Sequence, residues 1–189
     1  MNNKLLVIYN LFLLPMPSLL ASKLRIWFLR KCGAVIGNNC IIQENVRIRG
    51  GGRLEIGDNV VIRCGAFIEC GNLITIGDDV EINYGTILCA NGKSELKIDD
   101  DVHIAHNVSL KGSTHKISHD GKSVAGESVF KNIYVGEGTW LCAGSIILPG
   151  VTVGKRNVIA AGAVVMHDTE NDVLMAGVPA KVKKKYRIQ

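Results

Sequence analysis

The sequence predicts an all-β solenoid of stacked three-strand coils, and three observations predict it. Through most of the 189 residues an aliphatic side chain returns every sixth position. A small or β-branched residue stands four places after each of them. Steps of the type Ile-Gly, Ile-Asp or Val-Gly then recur at, or a little above, multiples of eighteen, which is three sixes. Self-similarity at a short fixed period marks units that bury their apolar faces only by stacking on their neighbours.

The cleanest stretch reads "LCAGSI ILPGVT VGKRNV IAAGAV". Its first positions are Leu141, Ile147, Val153 and Ile159, and four places on stand Ser145, Val151, Asn157 and Ala163. Ile62 with Ala66, Ile82 with Thr86 and Ile104 with Val108 obey the same rule. Three short strands per coil make a triangular prism. The large aliphatic at position one points into it, and at position five only a small or β-branched side chain fits. Gly, Asn and Asp fall between, where the corners need left-handed backbone. The steps at Ile36, Ile56, Ile76, Ile98, Val135 and Val153 are spaced 20, 20, 22, 37 and 18. One interval therefore carries a large excess, which must leave the prism as a loop, about residues 113–131. A loop that long in a compact solenoid is usually functional.

Composition agrees with narrow stacked layers. The hydrophobic fraction is 47% but aromatics are only 5%, so the core is filled by Val, Ile, Leu and Ala. The six cysteines show no CxxC pair or zinc spacing, and several fall at small-residue positions. They read as reduced thiols of a cytoplasmic protein rather than as a disulfide framework. The formal charge is +5, with Lys181, Lys183, Lys184, Lys185 and Arg187 clustered at one end. That cluster is either a solvated tail or the contact for an anion, a phosphate-bearing cofactor or an acidic membrane. Base-reading motifs are absent, so no nucleic-acid partner is expected.

Ahead of the prism, Leu5–Leu14 is apolar, but Pro15 and Pro17 stop it well short of the ~20 residues that span a bilayer. Its faint likeness to a signal peptide is set aside because the cysteines point to a reducing compartment. A helix follows: Ser18 is its N-cap, Leu20, Leu24, Trp27 and Phe28 form a stripe, and Gly33 ends it. Lys23, Arg25, Arg30 and Lys31 surround the stripe. Two accounts stay open. The segment lies on a membrane as an interfacial amphipathic helix, or it caps the prism or swaps into an oligomer. The expected organisation is an N-terminal helical segment 1–34, a prism 35–168 and a basic C-terminal segment 169–189.

The hexad pattern from about Val35 to Asp168 resembles the left-handed parallel β-helix of the hexapeptide acyltransferases. "GSTHKIS", then Glu127, then "IYVGEGTWLCAGSIILPGVTVG" and "AAGAVVMHD" with "AGVPAKV" resemble the galactoside, maltose and Nod-factor branch of O-acetyltransferases. The resemblance implies transfer from acetyl-CoA to a sugar hydroxyl in a homotrimer, with no metal. It implies His115 as general base, since an imidazole with its unperturbed pKa of ~6.5 is available neutral at cytosolic pH. Glu127 is implied to orient the imidazole or hold a sugar hydroxyl, and Asn83 to bind acceptor or occupy a corner with left-handed backbone. Trp140, Ala143 and Ala161 are implied along the acetyl-CoA arm. Met166 and His167 replace the usual Thr-Lys, so Lys181, Lys183 and Lys184 become the candidates for the CoA phosphates. His103 and His106 read as corner or interface residues, and His119 as a loop residue.

Similar openings occur among acetyltransferases of capsule, O-antigen and exopolysaccharide sugars, which implies such a glycan as acceptor and a possible peripheral membrane contact. N-acetylation of an amino-sugar nucleotide and a non-catalytic trimeric scaffold remain as alternatives. The zinc-dependent carbonic anhydrases of the same prism fit poorly, because His115 and His119 have three residues between them rather than four. A serine acetyltransferase would need a larger helical N-terminal domain.

Overall fold

In the computed structural model, residues 1–17, 19–118 and 124–186 are described. The chain winds into a left-handed β-helix of about seven coils, capped at one end by helices. Its first face stacks Val35–Ile36, Arg53–Ile56, Leu73–Ile76, Glu95–Ile98, Ile133–Val135 and Thr152–Val153. The second stacks Ile41–Ile42, Val61–Ile62, Glu81–Ile82, His103–Ile104, Trp140–Leu141, Val158–Ile159 and Val173–Ala176, with Lys181–Lys185 returning antiparallel on its end. The third runs Arg47–Arg49, Phe67–Cys70, Ile87–Ala90, Ser109–Lys111, Ile146–Ile147 and Val164–Val165.

Register follows the repeat read from the sequence. Ile36, Ile56, Ile76, Ile98, Val135 and Val153 pair one above another. Leu141, Ile147, Val153 and Ile159 are buried, as are Ser145, Val151, Asn157 and Ala163. Burying an aliphatic of this size contributes about 1.5–3 kcal/mol each, so the column of hexads is the main cohesive force.

Two of the three corners are regular. Between the first and second faces Asn39, Asn59, Asp79, Asp101, Gly138, Arg156 and Asp172 all hold positive φ. Side-chain amides bridge this ladder: Asn39 Nδ2 donates to Asn59 Oδ1 at 3.2 Å and Asn59 Nδ2 to Asp79 Oδ1 at 2.9 Å. Between the second and third faces Asn45, Gly65, Gly85, Asn107, Gly144 and Gly162 do the same. The surplus residues of the long intervals all fall at the remaining corner, between third and first faces. There the excess around 113–131 forms an antiparallel hairpin of Ser113–Ile117 and Ala125–Phe130.

The prism does not end at residue 168. Val173–Ala176 continues the second face, because the buried Asn157 amide reaches across to it. Asn157 Oδ1 accepts from Val173 N–H at 2.9 Å, and its Nδ2 donates to Thr169 Oγ1 and the Glu170 carbonyl. None of the six cysteines forms a disulfide; Cys32, Cys70 and Cys89 are buried and the others half-buried.

The N-terminal segment folds as helix α1 (Asn3–Ile8), a π-helical turn (Tyr9–Leu13) and helix α2 (Leu19–Lys31). An open β-helix end leaves three strand edges unpaired, and these helices satisfy all three. Arg30 donates to the carbonyls of Ile36 and Gly37 on the first face. Ile42 on the second donates to Ser22 Oγ and accepts from Arg25. Tyr9 and Asn10 donate to Val46 and Ile48 on the third. Gly33, with φ of 97°, ends α2 as expected; Ser18, the expected N-cap, lies outside the described residues.

Two expectations about this segment need correction. Arg25 does not flank an outer stripe: it is fully buried and donates to the carbonyls of Leu13, Met16 and Ile42. Burial pulls its pKa down from the ordinary guanidinium value. Arg30 is likewise committed to the prism edge. The stripe Leu20, Leu24 and Trp27 faces outward, while Ala21, Ser22, Ile26 and Leu29 of the same helix pack inward. No helix among the described residues is long and apolar enough to cross a membrane.

Candidate active site

The hairpin that carries His115 is built on two glycines. Gly112 turns the chain off the third face; its N–H donates to Cys89 O at 2.9 Å and its carbonyl accepts from Lys131 N–H at 2.9 Å. A Cβ there would meet Ser94 Cβ at 2.7 Å and the Lys131 carbonyl oxygen at 2.9 Å. Gly92, with φ of 58°, lies under the Phe130 ring, which would be 2.6 Å from a Cβ. Sequence reasoning passed over Gly92, Gly112 and Phe130; the signal available was a glycine in each of two successive connections with surplus residues.

His115 pairs with Ser128 across the hairpin, and register slips between His115 and Ile117. A bulge of this kind bends a strand and re-aims its side chains. The imidazole is exposed, with Nδ1 3.0 Å from the Gly126 carbonyl oxygen. A carbonyl only accepts, so Nδ1 carries the proton in the neutral ring and Nε2 is left with its lone pair. Glu127 faces elsewhere: its carboxylate pairs with Lys116 Nζ at 3.3 Å, and both side chains are exposed. His119 lies outside the described residues.

The other candidate residues line the second face and its corner with the third, in order along the prism. Asn83 sits on the third coil, where its N–H and Nδ2 both donate to Ile104 O, at 2.9 and 3.2 Å. Its backbone is not left-handed; Gly85 supplies the positive φ at that corner. Above it Tyr84, His106, Ala143 and Ala161 form one ladder, linked by Asn107 N–H to Tyr84 O, Gly144 N–H to His106 O and Gly162 N–H to Ala143 O. The Tyr84 and His106 rings stack with centroids 5.3 Å apart. Ala143 and Ala161 are exposed, and their own N–H groups make no backbone hydrogen bond among the described residues.

Trp140 is half-exposed on the second face, paired with His103 and Val158. Next to His103, Glu81 accepts two bonds from Arg63. Lys181, Lys183 and Lys184 stand exposed on the end strand of this same face. With strands ~4.8 Å apart, Trp140, Ala143, Ala161 and the lysines make one track leading to a cationic end. One protomer does not bring this track to His115, because the whole third face lies between their two corners.

A run of hexads with this register, carried through six stacked coils, matches one known pattern. Residues 132–167 fit the family model described as bacterial transferase hexapeptide (six repeats). The hexapeptide repeat of bacterial transferases is thus present over these residues. Among the hexapeptide proteins the chain is similar to the galactoside O-acetyltransferase of Lactococcus lactis subsp. lactis (strain IL1403), 33% identical over 163 residues, which are 83% of this chain and 65% of that protein. It also resembles the galactoside O-acetyltransferase of Escherichia coli (strain K12), 39% identical over 85 residues, 45% of this chain and 41% of that one. The chain thus spans less than two thirds of the length of these relatives. The hexapeptide fold is shared with a solved mutant of AntD, an N-acyltransferase from Bacillus cereus in complex with dTDP and coenzyme A. That likeness has a TM-score of 0.73 and 21% identity, covering 84% of this chain and 88% of AntD.

Proposed function

We propose that this protein is an acetyl-CoA-dependent O-acetyltransferase that acts on a sugar hydroxyl of a capsular, O-antigen or exopolysaccharide glycan, as a homotrimer in the cytoplasm. The observation that carries the reading is His115, held on its own hairpin with Nδ1 committed to the Gly126 carbonyl. The similarity to galactoside O-acetyltransferases supports it.

In this reading His115 Nε2 takes the proton from the acceptor hydroxyl while that oxygen attacks the thioester carbon. The Ala143 N–H is a donor for the carbonyl oxygen as it gains charge. Collapse breaks the carbon–sulfur bond, and the imidazolium returns its proton to the departing thiolate. No covalent enzyme intermediate is needed. The track from Trp140 past Ala161 to Lys181, Lys183 and Lys184 suits a pantetheine arm with phosphates at its end. Asn83 and Glu127 remain the acceptor contacts in this scheme, each with polar atoms at the surface.

The same geometry supports a homotrimer. His115 of one protomer and the Ala143–Ala161 track of its neighbour together complete one site, giving three per assembly. Ile117 and Val124, both more than two-thirds exposed on the hairpin, suit that neighbour's surface. The test is release of CoA thiol from acetyl-CoA with purified glycans, followed by mass spectrometry of the product. Ester-linked acetyl on the sugar is expected; acetyl on an amine, or no transfer, would sink the reading.

A further inference from the structure

The N-terminal helices do more than close the prism. Their inner faces satisfy the strand edges, yet their outer faces leave Val7, Leu11, Phe12, Leu20, Leu24 and Trp27 exposed, from 41% to 79%. So many large apolar side chains exposed on one short capping segment mark a contact. Its charge is one-sided: the first 43 residues contain Lys4, Lys23, Arg25, Arg30 and Lys31 and no Asp or Glu. The prism consumes both arginines, so Lys4, Lys23 and Lys31 are the cations left on the outside. Lys31 Nζ lies 5.9 Å from the centre of the Trp27 ring.

A groove of about 640 Å³ adjoins this surface, between α1 and the lowest strand of the third face. Val7 and Leu11 form its apolar wall, and Arg47 and Arg49 stand opposite. Both guanidinium groups are exposed and have no ion-pair partner among the described residues. Glu69, also in the groove, accepts from Asn91 Nδ2 at 3.0 Å, and the groove stays net cationic.

We infer that the two N-terminal helices seat the protein on an anionic phospholipid surface, with the groove between α1 and Arg47–Arg49 taking a lipid phosphate. The apolar wall then meets acyl chain and the arginines meet the headgroup, while Lys23, Lys31 and Trp27 lie at the interface. A second copy is a poor occupant, because a two-fold contact would press Lys23 and Lys31 against like charges with no carboxylate to pair. The hairpin of His115 leaves the prism three strand spacings above the capped end, ~15 Å along the axis.

The test is flotation of the full chain with phosphatidylglycerol-containing vesicles and with pure phosphatidylcholine vesicles. Binding is expected to the anionic vesicles, weakened by about 0.5 M salt. Leu20→Ser with Trp27→Ser should reduce it about tenfold or more on every vesicle. Arg47→Ser with Arg49→Ser should reduce it only where phosphatidylglycerol is present. Circular dichroism melting of each variant checks that it folds. Absence of flotation overturns the proposal, and so does a change in oligomeric mass of the Leu20/Trp27 variant without vesicle binding by the parent. Saturable binding of inorganic phosphate with no vesicle binding would make the groove a free-phosphate site and overturn the lipid assignment. None of these readouts depends on acetyl transfer, so the enzymatic reading and this one fail separately.

Discussion

Nδ1 of His115 lies 3.0 Å from the carbonyl oxygen of Gly126, and that contact sets the chemistry of the other ring nitrogen. In the proposed role of His115 as base, removing the ring removes the function while the hairpin backbone remains. His115→Ala is expected to lower kcat by ~10²–10⁴-fold with acetyl-CoA affinity and melting behaviour unchanged. Near-normal kcat at saturating acceptor would move the base elsewhere.

Gly112 tests whether the hairpin's placement matters apart from its residues. A methyl group there would press on Ser94 and on the Lys131 backbone, tilting the hairpin at its root. Displacement of about 1 Å can cost ~10²-fold in rate. Gly112→Ala should therefore reduce kcat at least tenfold, by order of magnitude, with the prism's β signal intact. An unaffected rate would mean the hairpin tolerates movement.

The separation of His115 from Ala143 within one protomer makes mixed assemblies informative. His115→Ala and Ala143→Trp should each be inactive alone. Co-assembled, they should recover activity at about a quarter of the sites, since in the proposed trimer an intact site draws one residue from each of two neighbours. No recovery in verified mixed trimers would place the whole site in a single protomer.

Arg25 is the least conventional element of the cap. Arg25→Met keeps the bulk but leaves the carbonyls of Leu13, Met16 and Ile42 without their donor. A loss of about 2–4 kcal/mol is expected, read as a lowered urea midpoint. Unchanged stability would show that water replaces the guanidinium at no cost.

The thiols carry a pH dependence. Burial lifts Cys89 from 9.0 to about 11, and Cys32, Cys40, Cys70 and Cys142 are raised by the same cause. Above pH 9 the unfolded chain releases these protons while the folded chain keeps them. The unfolded state then binds fewer protons, so stability falls as pH rises from 9 towards 11. Urea titrations across that range should show the midpoint falling, and Cys89→Ala should flatten part of the slope. A midpoint independent of pH would contradict the burial.

The period of six, written along Leu141, Ile147, Val153 and Ile159, was enough to specify the prism. Each coil repeats the same local demand for an inward aliphatic, a small residue and a left-handed corner. Such demands are local, so they are readable without coordinates. The same logic placed the break near His115, because an interval of 37 residues cannot stay in register with its neighbours. What the sequence could not decide was direction. The spacing of Leu20, Leu24 and Trp27 marks an apolar stripe, yet Arg25 turned inward and that stripe turned out, because two of the three unpaired strand edges take their donors and acceptors from Ser22, Arg25 and Arg30 of that helix. Likewise Glu127 sits next to the hairpin histidine in pattern, but cross-strand pairing set it against Lys116. The separation of His115 from Ala143 depends on which corner the chain has reached, a property of the wound coil that no stretch of residues carries alone.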